Sequence, residues 1–484
     1  MHLFNVCKKP LAAFVALAMT AALVGCAADP DISYGTQEPT LSDDELPAAW
    51  DGARPTDTTD YQGLAHAVFE NIPVASGADF TYESSDDGLT LTAYTGAGGV
   101  LVLPDEINGT PVTALGDRLF KDNTAITALA IPDSVVRIGQ EVLNGCRSLQ
   151  VLKTPQLGET RQSDGYLAYL FGGTSPQLGA FKVGSALDTV ILTDALTSLD
   201  TLAFYGCYRL IMVLLPDTLT EIGSYAFSGC SALKYVRLPD ALTTIGDGAF
   251  SECGSLQTLT IPDSVTQMGL GALMSCTSLV ELSIPFVGQT RTSNTHLGYI
   301  FGAQSYTWNR DFLPSSLQFL TVRSGDISNY AFYECDGLYS ITLPESCTQI
   351  GVRAFHGCTS LRQIALPDSI THIGDMAFSD CRYLTSITMG DNVVEIGMQA
   401  FMDCINLTEI TLSDEVTMLS PSLFSGCKRL ASVTVSDKLT TVDDGVFHDC
   451  ISLTTVRTHS GNTLDATKVA IGRDNAALEN CLNP

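Results

Sequence analysis

Cysteine is the chemically reactive residue that recurs most regularly in this sequence. Eleven cysteines occupy one place in a repeated pattern, first Cys146 and then two runs, Cys207 to Cys276 and Cys335 to Cys450, each with a constant step of 23. Thiolates bind zinc through close pairs such as C-x-x-C, and no such pair occurs. Side chains at one repeat position point the same way, which is poor disulfide geometry. We therefore predict buried thiols that act as small apolar groups.

Few other residues suggest chemistry. Cys347 and Cys481 lie outside the pattern, as free thiols or as partners in a disulfide. The seven histidines have no acid or thiol at a known catalytic spacing, and the sequence has no G-x-S-x-G, H-E-x-x-H, phosphate-binding loop or calcium loop. We expect no enzyme activity, no cofactor and no metal. The alternative, an active site in residues 63–122 or in a lengthened repeat unit, needs converging acids, bases or nucleophiles, and none appears.

Cys26 closes an N-terminal segment with the features of an export signal. Lys8 and Lys9 precede an uncharged apolar run, residues 11–25, which is shorter than the about 20 residues that span a bilayer. The run ends in Leu-Val-Gly before Cys26 and resembles the lipobox of bacterial lipoproteins. That resemblance implies a signal peptide, 1–25, and a lipid on the Cys26 thiol that anchors the chain in a membrane. A plain signal peptide with a chance cysteine is the alternative.

Charge is concentrated on acidic residues. The chain has 25 Lys and Arg against 53 Asp and Glu, a formal charge of −28, which excludes a generic nucleic-acid binder and electrostatic attachment to an anionic membrane. Residues 27–62 hold nine acids and one arginine. Such a segment buries too little apolar surface to fold, so residues 26–62 are predicted to be a lipidated cysteine with a flexible tether.

A short sequence repeat determines the expected fold. One copy has Ile222-Gly223, Ala226-Phe227, Cys230, and then Leu233, Val236 and Leu238-Pro239, and the next copy repeats the pattern from Ile245-Gly246 onward. The apolar alternation at the end of a copy predicts a short half-buried strand, and the spacing from 222 to 230 predicts a helical turn or short helix. A period in the twenties is typical of a leucine-rich solenoid.

We count 14 copies between residues 123 and 458. Twelve copies have Asn123 or one of the eleven cysteines at the shared position. The other two have Gly184 and Pro314 there, and they follow lengthened units, 146–184 and 276–314. These two units match each other at an offset of 130, which indicates an internal duplication. Residues 63–122, with a possible helix at 64–71, and 459–484, with a possible helix at 468–478, are predicted to cap the ends because a solenoid needs covers.

The pattern IG-x-x-AF-x-x-C-x-x-L-x-x-I-x-LP resembles the BspA-like (Treponema-type) leucine-rich-repeat family of bacterial surface proteins. The resemblance covers about residues 85–458 and implies an α/β repeat solenoid, a right-handed superhelix with a parallel sheet on the concave face and short helices or turns on the convex face. It also implies adhesion to host matrix proteins, other microbes or surfaces. Some copies depart from the family's pattern. The cysteine is replaced by Asn123, Gly184 and Pro314, and the proline is replaced by Gly390, Ser413 and Ser436.

The outward strand positions form the expected binding face. They are mostly Ser and Thr, which are also common on a polar sheet surface with nothing bound. The aromatic and charged exceptions are the candidate partner-binding residues: Tyr235, Arg237, Phe319, Glu281, Glu409 and Arg457.

These features together predict an exported, lipid-anchored cell-surface protein. Its partner is expected to be an unidentified protein or glycan, and not a nucleic acid. Adhesion or protein binding is the leading function, carbohydrate binding in a glycan-uptake system is the second, and a purely structural envelope role is the third.

Overall fold

The computed structural model describes residues 61–161 and 165–482. The chain divides into two units at Thr56, and all described residues lie in the second. The predicted signal peptide, Cys26 and residues 27–60 of the predicted tether 26–62 therefore lie outside the described residues, and the tether's last two positions belong to the helix Tyr61–Ala67. Within them the chain coils into successive turns, which confirms the predicted repeat solenoid.

Each turn contributes one strand to a long row of parallel strands, here named the main row. Its strands pair in chain order and fall into three hydrogen-bonded sheets of six, six and three strands. In the described part of the chain these strands are Gly99–Val102, Ile126–Ala130, Val151–Thr154, Thr189–Leu192, Met212–Leu214, Tyr235–Arg237, Thr258–Thr260, Glu281–Ile284, Phe319–Val322, Ser340–Thr342, Gln363–Ala365, Ser386–Thr388, Glu409–Thr411, Ser432–Val435 and Thr455–Thr458.

A second row, here named the short row, consists of two-residue strands. They are Arg137–Ile138, Ser198–Leu199, Glu221–Ile222, Thr244–Ile245, Gln267–Met268, Gln349–Ile350, His372–Ile373, Glu395–Ile396, Met418–Leu419, Thr441–Val442 and Ala470–Ile471. The four remaining strands, Phe80–Ser85, Gly88–Tyr94, Glu106–Ile107 and Thr110–Leu115, form an N-terminal sheet with antiparallel pairs.

Helices are few and short. The α-helices are Tyr61–Ala67, Leu167–Leu170, Pro176–Gly179, Asn309–Phe312 and Ala476–Leu482, and the 3₁₀ helices are Gly77–Asp79, Ala180–Lys182, Leu297–Phe301 and Tyr306–Trp308. All of these lie at the ends of the described chain or in the two lengthened units.

The alternation of side chains along each main-row strand builds the core. In Thr258–Thr260 the two threonines are exposed and Leu259 is buried. Leu259 pairs with Leu282 in the next turn, so an apolar side chain stacks on its equivalent in the following repeat. Burying each such side chain contributes about 1.5–3 kcal/mol, and the array gains it at every turn.

The stretch between the two rows forms turns, so the prediction of a helical turn or short helix there is wrong. Its amides bond to the following repeat: Tyr225 N–H donates to Asp247 O at 2.8 Å and Phe227 N–H to Ala249 O at 2.7 Å. Tyr225 has φ +56°, in the left-handed region, which a right-handed helix does not accommodate. Hydrogen bonds between repeats therefore replace the bonds that a helix makes within one segment.

The phenylalanines of the repeat stack in two columns. Phe204, Phe227 and Phe250 lie 5.0–5.1 Å apart between ring centroids. The second column has spacings of 4.9–5.7 Å. Its members are Phe332, Phe355, Phe378, Phe401, Phe424 and Phe447. The second lengthened unit separates the two columns.

The cysteines are buried as predicted, and they also donate hydrogen bonds. Cys381 Sγ donates to the carbonyl oxygen of Phe355 in the preceding turn at 3.1 Å. Eight others make the same contact at 3.0–3.3 Å: Cys146, Cys230, Cys253, Cys276, Cys358, Cys404, Cys427 and Cys450. Cys207 and Cys335 follow the lengthened units and face a carbonyl of their own turn instead.

All thirteen cysteines of the described residues are free thiols. Cys347 is buried and Cys481 is half-buried. At Asn123, which stands in the place of the first cysteine, the side-chain oxygen accepts from the amides of Ala125 and Ile126 at 2.9 and 3.1 Å and so holds the start of a main-row strand.

The lengthened units pack part of their extra residues into the core. Phe171 and Phe301 are fully buried, and the Tyr169 hydroxyl donates to Ile138 O at 3.1 Å. Four other apolar side chains in these units are exposed: Leu178, Phe181, Trp308 and Phe312. Each unit thus anchors itself by one set of apolar residues and presents a second set.

The ends differ in detail from the expected caps. The N-terminal helix is Tyr61–Ala67, where 64–71 was expected, and the main row begins at Gly99, one turn before the first copy counted in the sequence. At the other end, Ala470–Ile471 extends the short row inside the predicted helix 468–478, and the helix begins at Ala476. Asn475 covers the last turn because its Oδ1 accepts from Phe447 N–H at 3.1 Å.

Burial governs the reactivity of the thiols. It raises the pKa of Cys207 and Cys276 to about 12 and that of Cys381 and Cys404 well above the ordinary range. Because the thiolate is the nucleophile, we expect a maleimide at pH 7.5 to label the repeat cysteines only after denaturation. The half-buried Cys481 serves as the internal control. Mass spectrometry before and after denaturant measures this, and rapid native labelling of most repeat thiols would contradict the described burial.

The phenyl column offers a second test. Phe378 is fully buried between Phe355 and Phe401, at 4.9 and 5.5 Å. We expect Phe378→Ala to lower the free energy of unfolding by about 3–5 kcal/mol, and Phe378→Leu by about 1–2 kcal/mol because it keeps apolar volume but loses the stacking. Urea unfolding followed by circular dichroism measures both. The exposed Met398→Ala is the matched control, and a Phe378→Ala effect no larger than the control's would refute the column's role.

Candidate functional site

The side of the main row that faces away from the core, here named the outward face, is the predicted binding surface. From Thr258 onward it is polar, and most of its side chains are exposed. The exposed positions are Thr258, Thr260, Thr342, Gln363, Ala365, Ser386, Thr388, Glu409, Thr411 and Arg457. The alternation of buried and exposed residues predicted from the sequence is therefore present in this part of the array.

The six candidate partner-binding residues are spread along this face. Glu409 and Arg457 are exposed, whereas Tyr235 and Glu281 are half-buried. From the strand of Tyr235 to that of Arg457 there are nine steps between strands, a distance of about 43 Å. The structure thus places the candidates on one face without bringing them together in one site.

Arg237 and Phe319 each lie close to a neighbouring side chain. Arg237 Nη1 lies 3.2 Å from Asp217 Oδ1, an exposed ion pair that contributes little to stability. Phe319 is 6% exposed and its ring lies 6.1 Å from that of Tyr339. Phe319 therefore offers almost no surface to a partner, because its neighbours on the sheet cover a side chain that the sequence places outward.

The outward face changes character before Tyr235. All residues of Thr189–Leu192 and of Met212–Leu214 are buried, including those that point away from the core. Ile191, Met212 and Leu214 pack there against Ala65 of the helix Tyr61–Ala67, with Phe69, Val151 and Tyr235 at the edge of the cluster. The N-terminal helix thus lies across the outward face.

The sequence analysis missed this contact, although a signal for it exists. Strands that are apolar at every position are typical of sheets covered on both faces. Val190-Ile191-Leu192 and Ile211 to Leu215 are such runs, in contrast to the Thr-x-Thr and Ser-x-Thr strands further along. The runs predict a cover but not which segment provides it.

A groove of about 610 Å³ runs beside this helix at the ends of the main-row strands. Its floor is apolar, from Val102, Ala130, Ile191 and Leu214, and His66 of the helix forms one wall. Its rim is charged and carries Asp133, Lys153, Asp194, Asp217 and Arg237. A groove with an apolar floor and a rim of both charges is better suited to binding a polypeptide side chain than a single small ion.

A second, polar groove of about 590 Å³ lies further along the outward face. Its lining is Ser340, Ile341, Thr342, Leu343, Glu345, Gln363, Ile364, Ala365, Leu366, Pro367, Asp368, Ser386 and Thr388. The hydroxyl, amide and carboxylate groups here both donate and accept hydrogen bonds, which suits a polar macromolecular surface.

The partly buried histidines have structural roles. His296 Nδ1 lies 2.9 Å from Asn309 Oδ1, and burial lowers the pKa of His296. Burial also lowers the pKa of His356, whose ring stacks on Tyr333 at 5.1 Å between centroids. Burial thus disfavours the charged form of both rings, and the His296–Asn309 contact lies within the second lengthened unit.

Two further features concern only the described ranges, 61–161 and 165–482. No cluster of three or more His, Cys, Asp or Glu side chains there is arranged to hold a metal ion. No helix in these ranges has the length and apolar character needed to cross a bilayer.

An exposed aromatic pair lies away from the outward face. Trp308 is 47% exposed, and its ring centroid lies 6.5 Å from that of Phe312 with the planes 23° apart. Arg310 between them pairs with Asp336 at 3.1 Å. The second lengthened unit thus presents two aromatic rings beside hydrogen-bonding groups.

Comparison with solved structures finds bacterial repeat proteins. A leucine-rich repeat protein from Bacteroides ovatus is 24% identical, with 70% of this chain and 94% of that chain covered and a TM-score of 0.30. A leucine-rich cell surface protein from Faecalibacterium prausnitzii is 22% identical, with 82% and 97% covered and a TM-score of 0.32. No curated protein sequence matches significantly.

Sequence comparison with family models gives a firmer result. The model of the BspA type leucine-rich repeat region matches residues 106–165, 177–295 and 325–454, which is more than half of the chain. These ranges contain twelve of the fifteen main-row strands and the whole cysteine column. The chain therefore belongs to the BspA-type leucine-rich repeat family.

Proposed function

We propose that this chain is a non-catalytic cell-surface protein that binds a macromolecular partner through the outward face of its main row. The observation that carries the proposal is the pattern of four strands, Thr258–Thr260, Gln363–Ala365, Ser386–Thr388 and Glu409–Thr411, each of which buries its middle residue and exposes both neighbours. Such a surface offers many hydrogen bonds without a deep cavity, which suits a large partner.

The size of the face limits the kind of contact. The nine strands from Thr258–Thr260 to Thr455–Thr458 are separated by eight spacings of about 4.8 Å and so span about 38 Å. Three residues of a strand span about 10 Å, so this part of the outward face has an area of roughly 400 Å². A stable protein interface covers about 800 Å² on each partner. The partner is therefore expected to contact the turns that border the strip as well, for example Glu345 and Asp368 beside the polar groove.

Export and anchoring complete the proposal. The apolar run 11–25 and Cys26 support a lipid anchor, and the acidic residues 27–60 support a spacer that holds the solenoid away from the membrane. The chain belongs to the BspA-type repeat family, whose members the resemblance describes as bacterial surface proteins. This membership also supports a position at the cell surface.

Glycan binding is the second candidate function, and Trp308 with Phe312 favours it. Exposed aromatic faces stack on sugar rings, and Arg310 and Asp336 next to them provide donors and acceptors for hydroxyl groups. This candidate places the site on the second lengthened unit and not on the outward face.

A binding screen separates the two functions. We expect the detergent-extracted full chain to bind one or more extracellular-matrix or microbial surface proteins. Gln363→Arg should weaken that binding at least tenfold, because it places a bulky charged side chain in the middle of the exposed part of the outward face. Val394→Arg, at an exposed position beside the short row, is the matched control. Biolayer interferometry measures the affinities. Binding only to a glycan array, lost in Trp308→Ala, would overturn the protein-binding proposal in favour of the glycan.

The anchor is tested independently. We expect Cys26→Ala to abolish incorporation of a clickable palmitate analogue and to release the chain from the membrane fraction, because the thiol is the acylated nucleophile. Cys7→Ala, within the signal segment, is the control and should retain the label. Continued labelling of Cys26→Ala would remove the lipid anchor from the proposal.

A further inference from the structure

Both rows of strands are interrupted between the same two turns, at a place here named the open junction. The main-row strands Ser386–Thr388 and Glu409–Thr411, both within the described residues, do not pair with each other. The same holds for the short-row strands Glu395–Ile396 and Met418–Leu419. The main row has one other interruption, before Thr258, and there the short row continues. Among neighbouring main-row strands, pairing is therefore absent from both rows only at the open junction.

Three backbone amides lack an acceptor at the open junction. One turn further along the array, Ala431 N–H donates to Thr408 O and Thr440 N–H to Thr417 O, both at 2.8 Å. The equivalent amides of Thr408 and Thr417 donate to no group among the described residues, and neither does the amide of Ser420. The two turns thus lack the bonds by which the backbone of one repeat holds that of the next.

Ser420 replaces one of these backbone bonds with a side-chain bond. The preceding copy has Gly397 at this position, and its amide donates to the isoleucine carbonyl of the turn before at 2.8 Å. Ser420 instead donates its hydroxyl to Ile396 O. Asp443 also stands in the place of this glycine, in the next copy, and keeps its amide bond to Leu419 O at 3.0 Å. The hydroxyl bond, and not the loss of glycine alone, therefore distinguishes the open junction.

Other contacts persist across the open junction, on the side of the turns between the two rows. The amides of Gln399, Phe401 and Asp403 donate to carbonyl oxygens of the following turn at 2.8–3.0 Å. Phe401 also stacks on Phe424 at 5.7 Å between centroids, and Cys427 Sγ donates to Phe401 O at 3.0 Å. The turn side of the junction is thus held by backbone bonds and by the two buried columns.

At the ends of the two rows, by contrast, the bonds across the junction come from hydroxyl groups. Ser413 Oγ donates to Asp391 O at 2.5 Å, and Ser420 Oγ donates to Ile396 O. A hydroxyl can follow its acceptor because its side chain rotates, whereas paired strands fix each other's register. The junction therefore has one firm edge, along the turns, and one adjustable edge, along the rows.

We propose that the open junction is a hinge. The last three turns, from Glu409 to the helix Ala476–Leu482, move as one block against the turns that end at Thr388, about an axis along the turn-side amide bonds. A hinge needs only a few residues at the ends of structural elements to absorb the change of angle. Because each turn of a solenoid contacts only its neighbours, such a motion disturbs the contacts of one junction and leaves the others intact.

The hinge makes the outward face adjustable. The exposed part of this face runs from Thr258 to Arg457 and crosses the open junction between Thr388 and Glu409. A change of angle at the hinge alters the curvature of the face, so a partner that contacts both blocks selects one angle. This consequence rests on the proposed function, whereas the motion itself does not.

Distances between spin labels test the motion without a partner. The pair Ala365→Cys with Arg457→Cys spans the open junction, and the control pair Thr260→Cys with Ala365→Cys does not. Each pair is four strand spacings apart, about 19 Å, at exposed positions of equivalent register. The repeat thiols stay unlabelled because they are buried. The background replaces the cysteines outside this buried set: Cys7→Ser, Cys26→Ser and Cys481→Ser.

We expect the distance distribution across the open junction to be at least twice as broad as that of the control pair in double electron–electron resonance. Ser420→Gly restores the glycine of the other copies and should narrow it, whereas Ser420→Ala removes only the hydroxyl bond and should broaden it. Asp443→Gly, where the amide bond is already present, is the matched control and should change nothing.

Equal widths for the two label pairs would overturn the hinge, and so would a width that a folded Ser420→Gly leaves unchanged. The comparison of the two pairs needs no substitution at the junction, so it decides the question even where circular dichroism shows that a Ser420 variant is unfolded. Since these measurements use no partner, the hinge and the proposed binding function can fail separately.

Discussion

The structure depends on one constraint: each turn must satisfy its backbone hydrogen bonds on the next turn. The amides of Tyr225 and Phe227 bond to the following repeat, and the main-row strands pair in parallel at every turn within each sheet. A turn alone has neither a closed helix nor a paired strand, so it is unstable without its neighbours. The two lengthened units obey the same constraint, because their extra residues lie between strands and leave the pairing intact, as Glu281 with Phe319 shows.

The columns of phenyl and thiol groups follow from the same constraint. When equivalent residues are placed above one another, a flat ring can stack on its copy, as Phe355, Phe378 and Phe401 do. The space beside the rings admits a small side chain that can also donate to the Phe carbonyl of the preceding turn, and cysteine meets both needs. Burial then raises the pKa of these thiols and so disfavours the reactive thiolate.

The outward side of the sheet contributes little to the core. The outward positions tolerate Ser, Thr, Gln and Glu because they do not enter the core, and this freedom permits a recognition surface along the array. The same freedom permits an apolar cluster near the N-terminal end, where Ile191 and Leu214 pack against Ala65 of the N-terminal helix. The lengthened units are a third place for variation, since Phe171 and Phe301 anchor them and their remaining residues project.

Patterns in the amino-acid sequence were enough to predict the solenoid, the strand positions, the buried cysteine column and the two lengthened units, because each is encoded within one repeat length and recurs. They predicted a helical turn or short helix from Ile222 to Cys230, which is wrong, because hydrogen bonds to the next turn make this stretch a series of turns. The packing of Ala65 on Met212 and the burial of Phe319 emerged only from the folded chain. These contacts depend on which surfaces meet in space, and no period in the sequence displays them.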